Sequence, residues 1–192
     1  MKKLFALLLT LCLALTAVAC AETAAPAQPE ADEAHSDTLV AYFSATGNTR
    51  AVAESLAALT GADLYEIVPA DPYTEDDLDY GNSESRTSLE MDDPDARPEI
   101  AGEPLDLTGY TTLYLGYPIW HGEAPRILST FVESHDLSGL TIRPFCTSGS
   151  SGIGRSAESL EALAGGGTWL EGRRFPSDVR DEELQAWIDE AA

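Results

Sequence analysis

An open, five-stranded parallel α/β sheet with helices on both faces is the fold class this sequence predicts. Three observations carry that reading. From Thr38 onward, strand-like and helix-like segments alternate five times. The strand-like runs are short and continuously apolar, as expected of strands covered on both faces. Glycines stand where helical periodicity stops, at Gly61 and at Gly165-Gly166-Gly167.

Each element has its own signal. Leu39 to Phe43 is an unbroken apolar run and reads as the first strand. Asn48 is placed to cap the next helix, in which Val52, Leu56 and Leu59 recur at i, i+4 and i+7. Leu64 to Val68 is a second strand. Thr111 to Ile119 is a third, followed by a helix that Pro125 opens and that carries Ile127, Leu128 and Phe131. Thr141 to Cys146 is a fourth strand, followed by a helix around Ala157 to Ala164. Thr168 to Leu170 forms a weak fifth strand. A last helix near Val179 to Ala191 uses Leu184, Trp187 and Ile188. Pro144 is out of place, because an interior strand should not lack a ladder donor. A local bulge is the available reading.

The stretch from Asp71 to Asp106 interrupts the rhythm with 13 acids and two arginines, Arg86 and Arg97. A structureless loop of that length is unusual in a compact domain. Thr74 with Asp77 could start a helix, and Glu84 to Met91 could form another turn or two. Asp76, Asp77 and Asp79 invite a calcium reading, but Gly81 falls where an EF-hand needs an oxygen ligand. The alternative is a solvated acidic face.

The front of the chain differs. Lys2 and Lys3 precede a 16-residue apolar run, Leu4 to Ala19, too short for a membrane span and right for an export signal. Ala17-Val18-Ala19 fits plain signal cleavage, giving a secreted protein. The same stretch, ending at Cys20, resembles a bacterial lipobox, in which Cys20 would be acylated as the mature N-terminus. An uncleaved anchor is the third possibility. Residues 20–37 hold no aliphatic side chain larger than Ala and read as a flexible tether, leaving 38–192 as the folded domain. With Cys12 in the signal and Cys20 lipidated, Cys146 stands alone, so no internal disulfide forms. Cys146 is either a small buried hydrophobe or a reactive thiol.

Charge excludes several function classes. The chain has 11 Lys+Arg against 33 Asp+Glu, and both lysines lie in the signal. Such a surface cannot neutralise nucleic-acid phosphates or lie on anionic lipid, so a membrane is reached only through a lipid anchor. With 44% hydrophobic and 23% charged residues, it is not a disordered acidic tail either.

In open α/β sheets, ligands bind beyond the carboxyl ends of the strands, near the point where strand order reverses. Three such ends here are rich in Gly, hydroxyl and aromatic residues. The first, Ser44-Ala45-Thr46-Gly47-Asn48-Thr49, runs straight from strand to helix and offers neutral donors beside a helix N-terminus. That is either a phosphate cradle or an ordinary cap by Asn48. It is neither a nucleoside-triphosphate loop nor a dinucleotide fingerprint, since no G-K-[ST] follows and only one Gly is present. The second is Gly116-Tyr117-Pro118-Ile119-Trp120-His121-Gly122. The third is Phe145-Cys146-Thr147-Ser148-Gly149-Ser150-Ser151-Gly152.

Taken together, the three loops resemble those of the flavodoxin family, which binds flavin mononucleotide (FMN). Ser44 to Thr49 is similar to its phosphate loop, and the other two are similar to its flavin loops. The resemblance covers Thr38 to about Ala191 and is closest to exported, signal-bearing bacterial relatives. It implies a flavodoxin-like fold and FMN contacts from Ser44, Thr46, Gly47, Asn48 and Thr49. The second loop would contribute Pro118, Ile119, Trp120, His121 and Gly122, with Trp120, set where the chain turns outward, either stacking on the ring or lying as a lid on the sheet's rim. The third would contribute Thr147, Ser148, Gly149 and Gly152. His121 would either donate to the flavin or stand as an exposed loop residue. The third loop offers no aromatic.

Neutral donors around the phosphate imply binding by hydrogen bonds and stacking rather than by ion pairs. The resemblance and the acidity together imply a low-potential electron carrier outside the cytoplasm, docking a redox partner protein through that partner's basic face. An FMN-dependent reductase of quinones or similar acceptors is a second reading, and a flavin-free surface binding module is a third. No Ser/His/Asp or Cys/His arrangement and no metal-ligand spacing is evident, so no catalytic or metal-binding residue is assigned.

Overall fold

The computed structural model describes residues 36–190. The signal, Cys20 and most of the tether lie outside the described residues, as do residues 191–192. The elements in chain order are β1 (Thr38–Tyr42), α1 (Asn48–Thr60), β2 (Asp63–Glu66), α2 (Arg86–Asp92), β3 (Thr112–Pro118) and α3 (Arg126–Ser134). There follow β4 (Thr141–Thr147), α4 (Ser156–Ala164), β5 (Thr168–Trp169), β6 (Arg173–Phe175) and α5 (Asp181–Asp189).

The sheet is parallel throughout, in the order β2-β1-β3-β4-β5, with β6 also pairing β4. Side chains alternate across it. Leu39, Ala41 and Phe43 join Ile127, Phe131 and Leu160 on the face of α3 and α4. Val40 and Tyr42 join Val52, Leu56, Leu184 and Trp187 on the face of α1 and α5. The unbroken apolar run of β1 is thus spent on two cores. Gly116 of β3 lies directly opposite Phe145 of β4, and a β-carbon there would overlap the phenyl ring.

Three expectations are corrected. Asn48 does not cap α1. Gly47 holds that position at φ 86°, in the left-handed region that suits glycine, and Asn48 is the first helical residue. Thr74 and Asp77 start no helix. Asp77 accepts hydrogen bonds from the N–H and the hydroxyl of Thr74 at 2.8 Å each, which closes a turn. The fifth strand is two pieces rather than one. Ile142 lies opposite Trp169, but Phe145 lies opposite Arg173, so the outer strand holds one extra residue between these pairs.

That insertion accounts for Pro144. Thr141 donates its N–H to the carbonyl of Thr111, just before β3, whereas the carbonyl of Ile142 accepts from Leu170 on the other side. Even-numbered residues of β4 therefore face the outer strand, and the donor that Pro144 lacks would point at the break between β5 and β6. Gly172 fills the break, where a β-carbon would crowd the carbonyl oxygen and Cβ of Pro144.

Candidate functional site

The carboxyl ends of β1, β3 and β4 bring the three loops side by side. Beyond β1 the ladder continues for one residue, with the Phe43 N–H donating to the Gly116 carbonyl at 2.9 Å. The chain then enters the first loop. Because Gly47 carries no side chain, none caps the first free N–H groups of α1. Asn48 is exposed, and its side-chain amide donates to Thr46 Oγ1 at 3.2 Å. Thr49 is buried, and its hydroxyl bonds that of Thr147 at 2.8 Å, tying the first loop to the third. The Ser44 hydroxyl is buried and has no partner among the described residues. Leaving such a group unsatisfied costs about 1–3 kcal/mol, which a ligand atom placed there would relieve.

The second loop leaves β3 after Pro118. The Ile119 N–H donates to the Thr147 carbonyl at 3.0 Å, so this loop too is tied to the third. Trp120 and Glu123 exchange backbone hydrogen bonds at 3.0 and 2.9 Å around His121 (φ 48°) and Gly122 (φ 87°). Two successive residues with positive φ make a tight turn that glycine accepts freely and histidine at a cost.

In the third loop, the Ser148 hydroxyl donates to the Ser151 carbonyl. Arg174 of β6 braces the same loop. Its Nη2 donates to the carbonyls of Ser148 at 2.6 Å and Gly149 at 3.0 Å, and its Nε donates to Ser148 Oγ at 3.3 Å.

A cavity of about 530 Å³ lies among the loops. Of the anticipated residues, Ser44, Thr46, Asn48, Thr49, Pro118, Ile119, Trp120, Thr147, Ser148 and Gly149 border it. Gly47, His121, Gly122 and Gly152 do not, and serve the backbone path or stand outside the wall. Tyr80, Arg174, Pro176 and Ser177 also border it, although no local motif points to them. The only advance signal for Arg174 is a pair of adjacent arginines, Arg173-Arg174, in a strongly acidic chain.

The Trp120 ring borders the cavity and is almost wholly enclosed. It is 1% exposed, packed edge-on against Phe43, Tyr73 and Tyr80. Burial by neighbouring aromatics outweighs its position past the strand end.

Cys146, directly before the third loop, is fully buried, and burial pushes its thiol up to about 12. Tyr117 lies beneath the second loop with its hydroxyl 3.0 Å from Ser156 Oγ, and burial raises its pKa as well. The acidic segment directs its carboxylates elsewhere: Asp77 closes the Thr74 turn, and Asp79 accepts the Gly81 N–H at 3.0 Å. Among the described residues, no cluster of His, Cys, Asp and Glu could hold a metal ion.

The sequence model of the flavodoxin family matches residues 37–191, which is nearly all of the described chain. The chain belongs to the flavodoxin family. A candidate flavoprotein of Bacteroides eggerthii is 48% identical, with 80% of this chain and 96% of that one covered and a TM-score of 0.75. One of Bacteroides uniformis is 42% identical over 81% of this chain and 99% of that one, with a TM-score of 0.77. A flavoprotein of Lactobacillus acidophilus, in complex with FMN, shares the fold at 20% identity and a TM-score of 0.60, with 79% of this chain and 97% of that one covered. No curated protein matches. As a flavodoxin, the chain keeps the strand order of that fold, and its three loops meet at the switch point between β1 and β3.

Proposed function

We propose that this flavodoxin binds FMN where the three loops converge and carries electrons outside the cytoplasm. One observation carries the cofactor reading: Ser44, its buried hydroxyl unpartnered, borders a cavity beside a helix N-terminus that no side chain caps. The FMN complex of the Lactobacillus acidophilus protein of this fold supports the same reading.

Ser44, Thr46 and Asn48 hold the phosphate, together with the first N–H groups of α1, whose dipole end favours an anion. Ile119 and the Thr147 to Gly149 backbone flank the ring, and Arg174 keeps that backbone in place. When bound, FMN supplies reversible acceptance of one or two electrons. Among the described residues, neither a carboxylate nor a histidine borders the cavity. The family and the acidity of the chain support a carrier over a reductase. A protein with 33 acids against 11 bases docks best on a partner with a basic face.

An acylated Cys20 would hold the carrier at the outer face of the cell membrane, a reading that the signal-like stretch ending at Cys20 supports. Membrane partition that Cys20→Ser abolishes supports this placement; a wholly soluble parent points to cleavage at Ala19.

Titration of the purified full chain tests the cofactor. A yellow complex is expected, with FMN bound at least about tenfold more tightly than riboflavin, since riboflavin lacks the phosphate. Equal affinities for the two would sink the assignment. Steady turnover with a nicotinamide donor and a quinone would move the protein to the reductase class.

A further inference from the structure

The acidic segment between β2 and β3 reaches the cavity through one residue, Tyr80. Half of that residue is exposed (50%), and it borders the same space as the phosphate loop. Its ring lies edge-on to Trp120 at 6.4 Å and to His121 at 5.8 Å, each with an interplanar angle of 62°. Trp120 is enclosed. Phe43 packs against it at 5.4 Å and Tyr73 at 5.0 Å, both nearly perpendicular, and Tyr80 closes a further side. A planar ligand can stack only on an aromatic face that is open to it. Trp120 borders the cavity but is only 1% exposed, so almost none of its ring is open, whereas Tyr80 is half-exposed beside the same space.

The chain around Tyr80 is held, so the ring is presented rather than left loose. Thr87 of α2 pins Asp77 from both its N–H (3.1 Å) and its hydroxyl (2.7 Å), each donating to the Asp77 carbonyl. Beyond Tyr80, the Asn82 N–H donates to the Asp79 carbonyl at 3.1 Å. The segment is anchored deeper by Tyr73, whose hydroxyl donates to Glu90 at 2.6 Å while the Arg86 guanidinium lies 4.0 Å over its ring.

We infer that Tyr80, not Trp120, supplies the aromatic face that covers the flavin ring, with Trp120 as the buried strut behind it. This assignment rests on the FMN reading above and gives the acidic segment a role: it carries the aromatic face expected of Trp120 in the second loop.

The test is flavin titration of the full chain and its Tyr80→Ala and Tyr80→Phe variants, with FMN and riboflavin in parallel, read by fluorescence quenching and the visible spectrum. Tyr80 is half-exposed and on a turn, so its removal leaves the fold intact. Tyr80→Ala is expected to weaken both flavins about tenfold and by the same factor, and to change the bound-flavin spectrum. Tyr80→Phe keeps the face and should restore both affinity and spectrum. Unchanged affinity and spectrum in Tyr80→Ala would overturn the assignment while leaving FMN binding in place. So would a loss confined to FMN, which would put Tyr80 at the phosphate end. Failure of the parent to bind either flavin would overturn both this assignment and the FMN reading.

Discussion

Thr49 at the start of α1 and Thr147 at the end of β4 share a buried hydroxyl–hydroxyl hydrogen bond of 2.8 Å across 98 residues of sequence. It ties the loop proposed to hold a phosphate to the loop proposed to flank the ring. Thr49→Val or Thr147→Val strands the partner hydroxyl in the core and should cost about 1–3 kcal/mol in urea unfolding. The double Val variant should cost less than the sum by about 1 kcal/mol, since neither hydroxyl is then left behind. Simple additivity would show that the pair does not act as a unit.

Asn48 separates helix capping from ligand binding. Its side chain is exposed and bonds only Thr46 Oγ1, and the cap is Gly47. Asn48→Ala should therefore leave the melting temperature nearly unchanged while eroding the preference for FMN over riboflavin by about 1–2 kcal/mol. A large loss of stability with that preference intact would reverse the two roles.

Arg174 braces Ser148 and Gly149 with three hydrogen bonds, each from one planar guanidinium. Arg174→Gln should weaken FMN by about 1–2 kcal/mol, a figure already discounted because the group is partly exposed. Arg174→Lys should not rescue it, since an ammonium cannot reproduce the fork. With a positive charge beside the flavin removed, the midpoint potential should fall, as spectroelectrochemistry can read. An unchanged potential and affinity would relegate Arg174 to the rim.

Cys146 should resist thiol reagents at pH 8 in the folded protein and react at once on unfolding. Burial holds its thiol at about 12, against an ordinary value of 9.0. The linkage follows from the sign of that shift. Below pH 9 both states keep the proton and the group contributes nothing to the pH dependence. As pH rises towards 12, the unfolded chain ionises first and stability falls. Rapid labelling of the native protein at pH 8 would show a reactive thiol after all.

The element order was legible because each strand and helix is encoded within its own few residues. The apolar run of β1 needs two cores, and Gly116 admits Phe145. The three loops were legible for the same reason, as each leaves its strand through a local pattern of Gly and hydroxyl residues. Pro144 was not, because its tolerance depends on a register break in a strand about 27 residues away.

By itself, then, the sequence determined the order of the elements, the alternation of covered faces and the position of the three loops. Hydrophobic periodicity and turn residues act over one element at a time. Tertiary structure alone decided that Trp120 is enclosed, that Tyr80 stands open at the cavity and that Arg174 braces a loop 25 or 26 residues before it. Those outcomes turn on which distant segments meet and in what register, and a shift of one residue would send every side chain of a strand to the opposite face.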